Sequence, residues 1–316
     1  MPSISSASQI RKRTLLLLQK IPEEYFIQRS QEMIKNLIEH LQYEYLIIPE
    51  RERVGKGAIY ICKYVAKELV SFLSKTLDLT ADNYLELSRE IYQFDIKNAS
   101  LSSKYLSLLI LAEFLLISPH SLPQVKSLIE LAAADHEWSV RETAIYPIIS
   151  CLRKEPEITF QYLNYLTSKN NENLRRLVSE SLRPSNSVKW LRNADKNDKV
   201  LLILSKIKAD NSIYVRKSVG NNLKDLSKYM PEKILDLMEN WIHLAKIKVT
   251  EDLASEKGLS KENRKLIWTI KHAMRWIQKR ELQYHDRLER ILGKNYVIYF
   301  DEKSNKFANP HQFYER

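Results

Sequence analysis

Asp210-Asn-Ser-Ile-Tyr-Val-Arg-Lys-Ser-Val-Gly-Asn-Asn-Leu-Lys-Asp225 is the stretch that decides the fold. Asp210 and Ser212 bring capping chemistry, so a helix is expected to begin near Ser212. At about 100° per residue, Val215, Val219, Leu223 and Leu226 share one side of that helix, while Lys217, Asn221, Lys224 and Asp225 fall away from it. The pattern recurs upstream as Asp135-His-Glu-Trp-Ser-Val140-Arg141-Glu-Thr-Ala144 and as Asn170-Asn-Glu-Asn-Leu174-Arg175-Arg-Leu-Val178. In each copy a capping residue precedes an apolar–Arg pair by four or five positions, and a small or β-branched apolar residue follows one turn later. The copies start about 35 to 40 residues apart, which suits a two-helix repeat of the HEAT kind.

The remaining sequence fits an all-α chain. Only 5 glycines stand among 316 residues, beside abundant Leu, Ile, Lys and Glu. Helical patterns run over 9–20, 23–46, 57–78, 82–95 and 102–117, with a loop at Arg51-Glu-Arg-Val-Gly-Lys-Gly57 that lacks the GxxxxGK[ST] frame of a phosphate-binding loop. From Pro123 the repeats become regular. First helices are expected near 123–134, 157–168, 198–209 and 232–245, and their partners near 138–153, 172–183, 212–228 and 261–280. Pro123, Pro156 and Pro231 lie at starts of first helices, where a missing N–H costs nothing. The expected organisation is one continuous HEAT-like α-solenoid: a degenerate helical region over 1–120, regular repeats over 121–293, and a tail over 294–316 that mixes a β-prone Tyr-Val-Ile-Tyr-Phe300 with a polar end and is assigned no element.

The formal charge of +11 points first to nucleic acid and second to an acidic membrane surface, although a merely basic soluble protein has the same balance. Cys62 and Cys151 sit in apolar helical patterns and read as buried free thiols in a reducing compartment. Arg11-Lys-Arg-Thr-Leu-Leu-Leu-Leu18 has too short an apolar core for a leader and reads as an amphipathic helix. The apolar run 106–117 contains Glu113 and is too short to span a bilayer, so a cytoplasmic protein with no membrane partner is expected. The 7 histidines and 2 cysteines show no HxxxH or CxxC spacing, and no GxSxG or Rossmann glycine fingerprint occurs; neither a metal nor another cofactor is expected.

In an α-solenoid the second helix of each pair lines the concave surface. Counting about 100° per residue from Val140, Leu174 or Val215, Glu142 falls near 200°, Glu180 near 240° and Asp225 near 280°. Arg176 and Lys217 share the phase of Glu142, and Tyr146 and Asn221 that of Glu180. Phosphate repels carboxylates inside a polyanion groove, so acids there suggest a role other than binding. The competing reading is ion pairing with Arg176, Lys217 or Arg183. Arg141, Arg175 and Arg216 read as rungs to capping residues of neighbouring repeats. Trp138, Trp241 and Trp268 read as core, His272 and Arg275 as packing or ladder residues, and Trp190 as the exposed aromatic.

Four segments then resemble one family. They are Glu142-Thr-Ala-Ile-Tyr-Pro147, Asn173-Leu-Arg-Arg-Leu-Val-Ser-Glu180-Ser-Leu-Arg-Pro184 with Trp190, the run Tyr214–Lys228 with Pro231 and Trp241, and Trp268-Thr-Ile-Lys-His-Ala-Met-Arg275 with Lys279. They look like the AlkC-type DNA alkylation-repair glycosylases of the AlkC/AlkD superfamily. The resemblance implies a HEAT-like array with a basic concave groove for duplex DNA, base excision repair, and hydrolysis of the N-glycosidic bond of N-alkylated bases such as 3-methyladenine. It implies that Glu142, Glu180 and Asp225 are the catalytic or lesion-facing acids with Trp190 alongside; Tyr146, which shares the phase of Glu180, is the second aromatic expected to meet the lesion or its sugar. Arg176, Arg183, Lys189, Lys217, Asn221 and Lys224 are the residues expected to meet DNA, the five cations at its phosphates. The chemistry is consistent with these residue types. An N3- or N7-alkylated purine is cationic and leaves as a neutral base, so a carboxylate that stabilises the oxocarbenium-like sugar is enough. A monomer is expected. A non-catalytic HEAT protein binding damaged or structured DNA is the alternative, and a protein–protein scaffold the third.

Overall fold

The computed structural model describes residues 3–94, 101–185, 187–250, 253, 258–294 and 296–297. All regular structure among them is helical, and most of the tail from Lys294 lies outside them. Two compact units divide the chain, residues 1–162 and 163–316.

The first unit contains α1 (Ala7–Leu18), α2 (Glu23–Ile27), α3 (Gln31–Ile47), α4 (Ala58–Thr76), α5 (Ala81–Gln93), α6 (Ser102–Ile117), α7 (Leu122–Ala133), α8 (Trp138–Thr143) and α9 (Ile145–Lys154). α1, α4, α6 and the α8–α9 pair pack side by side, and α3, α5 and α7 back them. α6 is apolar on nearly all sides and is buried accordingly, from Tyr105 through Ala112. The N-terminal third, in which the sequence shows no Val–Arg signature, therefore follows the same two-layer pairing as the repeats after it.

Two expected helices are broken, each for a local reason. The helix expected over 23–46 ends early because Arg29 turns left-handed at φ 53°. Ser30 then caps α3 by accepting from the Glu32 N–H at 3.3 Å. The helix expected over 138–153 divides at Ala144. Pro147 has no N–H for the Thr143 carbonyl and its ring crowds that carbonyl.

α10 (Pro156–Leu166) runs across the boundary between the units. The second unit continues with α11 (Glu172–Ser181), α12 (Asp198–Lys206), α13 (Ile213–Leu226), α14 (Pro231–Leu244), α15 (Lys261–Arg280) and α16 (His285–Leu292). α11, α13 and α15 form one layer, with α14 behind α13 and α16 against both α14 and α15. The helix expected from Ser212 starts there: Ser212 accepts from the Tyr214 N–H, and Asp210 Oδ1 accepts from the Ser212 N–H at 2.8 Å. Val215, Val219, Leu223 and Leu226 are wholly buried, each contributing about 1.5–3 kcal/mol of burial.

The repeat signature has a mechanical meaning. Arg141 Nη1 donates to the carbonyls of Asp135 and His136, Arg175 Nη1 to those of Lys169 and Asn170, and Arg216 Nη1 to those of Asp210 and Asn211. In each of these three copies the arginine clamps the turn six and five residues before it. The expected rung to a neighbouring repeat is present for Arg175, whose Nε and Nη2 grip Asp210 at 2.6 and 2.9 Å. Asp135 fills the same role toward Lys104 and Tyr92 of the preceding pair.

Cys62 and Cys151 are free and buried, as expected. Trp241 is core, but Trp138 is 66% exposed. It precedes Val140 by two residues, about 200° around the helix from the buried stripe. Trp190, expected to be the exposed aromatic, is half-buried on a short 3-10 turn, Lys189–Arg192, pinned by buried Val188 and Leu191.

Candidate functional site

Glu180 is the penultimate residue of α11, and the chain turns at once through Arg183. Apolar Leu174, Leu177 and Val178 hold α11 against its neighbours, and Asn222 of α13 donates to the Ser179 carbonyl at 2.7 Å, fixing the register of the two helices. That register places Ser218 of α13 beside Glu180, donating to Oε1 at 2.8 Å. Glu180 is buried, and its carboxylate also meets Arg176 Nη2 at 3.3 Å and Arg183 Nη1 at 3.1 Å. The other arm of Arg183 reaches Asp225 Oδ2 at 2.5 Å. One guanidinium thus joins acids from two successive repeats.

Asp225 collects further cations. Lys228 donates to Oδ1 at 2.8 Å and Lys224 lies 3.3 Å from the same oxygen. Burial alone pushes this carboxyl up, but the hydrogen bonds from Arg183 and Lys228 and the charge of Lys224 outweigh it and hold it at about 2. Burial pulls the Lys224 ammonium below its usual value, and Asp225 offsets this only in part. The ion pairing weighed against a functional role is therefore present for Glu180 and Asp225, yet the network is more cationic than the two acids require. Arg176 stacks its guanidinium over Tyr214 at 4.6 Å. Lys189 and Lys217 are exposed.

Glu142 and Tyr146 stand one turn apart in the first unit, on α8 and α9, with Tyr146 37% exposed. Glu180, Asp225, Arg176, Arg183, Lys217, Asn221 and Lys224 all belong to the second unit, on α11, α13 and the turn after α11.

The sequence missed what α15 adds. Gly220, in the middle of α13, has a purpose there: a Cβ would meet His272 Cδ2 at 2.7 Å and its Cβ at 2.8 Å. The close approach seats His272 against α13, where its Nε2 lies 3.1 Å from Asn221 Oδ1 and 2.8 Å from Arg275 Nη2. Trp268 stacks on the imidazole, with ring centres 4.9 Å apart. The spacing Trp268, His272, Arg275 is one helical face, and with an otherwise costly mid-helix glycine it is the signal that leads to this cluster. Gly220→Ala should destabilise the protein by about 1–3 kcal/mol, because the steric cost exceeds the gain in helix propensity. A urea midpoint that rises in this variant would show that α13 and α15 are not so close.

No family model matches the chain. The uncharacterized protein YhaZ of Bacillus subtilis (strain 168) is 38% identical over 109 residues, a stretch covering 33% of this chain and only 29% of YhaZ. Among solved structures, AlkD2 from Streptococcus mutans superimposes with a TM-score of 0.52 at 18% identity, over 77% of this chain and 98% of that one. The fold is the AlkD-type helical repeat. Pseudomonas fluorescens AlkC, an alkylpurine DNA glycosylase bound to DNA containing an abasic site analog, gives a TM-score of 0.46 at 20% identity, over 78% of this chain and 63% of AlkC. Within the AlkD-type fold, no helix among the described residues is long and apolar enough to cross a membrane.

Proposed function

We propose that this chain is a DNA glycosylase that excises positively charged N-alkylated bases of the 3-methyladenine type. The observation that carries the reading is the Glu180–Arg183–Asp225 bridge, two carboxylates on adjacent second helices within a surplus of cations. The AlkD-type fold and the four sequence segments support it. In the reaction the C1′–N bond breaks and its electron pair returns to the cationic base, which departs neutral. Water then bonds to C1′ and releases a proton to the solvent. An anionic oxygen fixed beside C1′ stabilises the positive sugar without reorganising during the reaction. Glu180 and Asp225 are the acids for this task, and Trp190 is the aromatic surface against sugar or base. Arg176, Arg183, Lys189, Lys217, Asn221 and Lys224 bind the DNA backbone.

Release of 3-methyladenine from dimethyl-sulfate-treated DNA, followed by chromatography, tests this directly. Salt-sensitive DNA binding without release would instead identify a non-catalytic DNA-binding repeat protein. Lys217→Ala should weaken binding to every sequence alike and reduce the slope of log K against log salt by about 1. An effect confined to one sequence context would contradict its phosphate role.

A further inference from the structure

We infer that Asn221, His272 and Arg275 form a seat for one phosphodiester oxygen of DNA, built jointly by α13 and α15. This inference rests on the DNA-binding part of the proposed function and extends it to a helix that the sequence reading left structural.

The reason is a triangle of contacts whose proton assignments conflict. Arg275 Nη2 lies 2.9 Å from Asn221 Oδ1 and 2.8 Å from His272 Nε2, and Asn221 Oδ1 lies 3.1 Å from that same Nε2. Arginine offers protons only. If Nε2 carries a hydrogen it donates to Asn221 but opposes Arg275, donor against donor. If Nε2 is bare it accepts from Arg275 but confronts Asn221 Oδ1, acceptor against acceptor. Turning the Asn221 amide round only moves the conflict to Arg275. No assignment of protons satisfies all three sides, although Gly220 and Trp268 hold the imidazole firmly in place. Arg275 is held from behind as well, since its Nε donates to the His272 carbonyl at 2.8 Å.

An anionic oxygen resolves the conflict. It accepts from Arg275 and from a protonated Nε2 together, while Asn221 keeps the second Nη2 proton. The surrounding charge favours the same ligand. Among the described residues the charges acting on the imidazole are Arg275 of its own helix and Lys217 and Lys224 of α13, and no carboxylate is among them. Burial first, and these cations second, hold the free imidazole down at about 3, so it is neutral at physiological pH. A phosphate arriving among them offsets the repulsion and draws a proton onto the ring. Binding then takes up a proton, so affinity for DNA rises as pH falls.

The test uses an undamaged duplex, which separates binding from excision. Wild-type affinity should rise about fivefold between pH 8 and pH 6 at constant salt, within the limit of one linked proton. His272→Gln should flatten that dependence, and Arg275→Gln should weaken binding about tenfold at both pH values. Circular dichroism confirms that the variants fold, and NMR titration of the His272 ring in the wild-type chain gives a readout that needs no variant. The duplex should raise the pH at which this ring titrates. An unchanged pH dependence in His272→Gln, with a ring titration that the duplex leaves unmoved, would overturn the seat while continued 3-methyladenine release left the glycosylase reading intact. Absence of duplex binding at either pH would overturn both. Tighter His272-dependent binding to vesicles of anionic phospholipid than to duplex would also overturn it, by moving the seat to a lipid headgroup.

Discussion

Glu180→Gln should release 3-methyladenine about 100-fold more slowly than the wild type in single-turnover assays, the scale expected when one preorganised electrostatic contact to a developing charge is removed. Glutamine keeps the size of the side chain and can still accept from Ser218, so the packing of α11 on α13 is preserved. What is lost is the negative charge that the proposed mechanism sets beside the sugar. DNA affinity should stay equal or increase, because the same substitution removes a charge that repels phosphate. The combination of slower release with undiminished binding distinguishes a chemical role from a structural one. Excision at the wild-type rate would leave Glu180 as no more than the ion-pair partner of Arg176 and Arg183.

Arg175→Ala should cost about 3–5 kcal/mol of stability, read as a lower urea midpoint, because it strands the buried carboxylate of Asp210 without its two-pronged partner. The side chains of Arg175 and Asp210 are only 14% and 6% exposed, so solvent replaces little of what is lost. The substitution also releases the carbonyls of Lys169 and Asn170 from their clamp. Lys35→Ala is the control. It removes the Lys35–Glu39 contact of 3.7 Å between exposed side chains, a pair expected to contribute less than about 1 kcal/mol. Equal losses in the two variants would mean that the Arg175 rung does not hold adjacent repeats together.

Much of this arrangement is legible from residue order because a repeat states its rule several times. The apolar–Arg pair, its capping turn and the buried stripe Val215, Val219, Leu223 and Leu226 can be read from spacing alone, and so can the rung from Arg175 to Asp210. Features set by contact between distant segments are not. Arg29 ends a helix through a backbone angle that arginine rarely adopts, so composition gives no warning. Pro147 did give one, but the apolar periodicity on either side of it reads as continuous. Trp138 reads as core, whereas its phase relative to Val140 directs it outward. The α15 cluster was hidden for a different reason. His272 and Arg275 acquire meaning only once Gly220 admits them to the surface of α13, and that is a relation between residues about 50 positions apart.

Because Glu180 and Asp225 hold the same guanidinium, the loss measured at one of them depends on the other. Neutralising Glu180 frees one arm of Arg183 to lean further on Asp225, and neutralising Asp225 does the reverse. The losses from Glu180→Gln and Asp225→Asn will therefore fail to sum in the double variant, and the shortfall should vanish when Arg183 is also replaced. Evolutionary drift at any one of these three positions would be felt at the other two, so they are expected to change together or not at all.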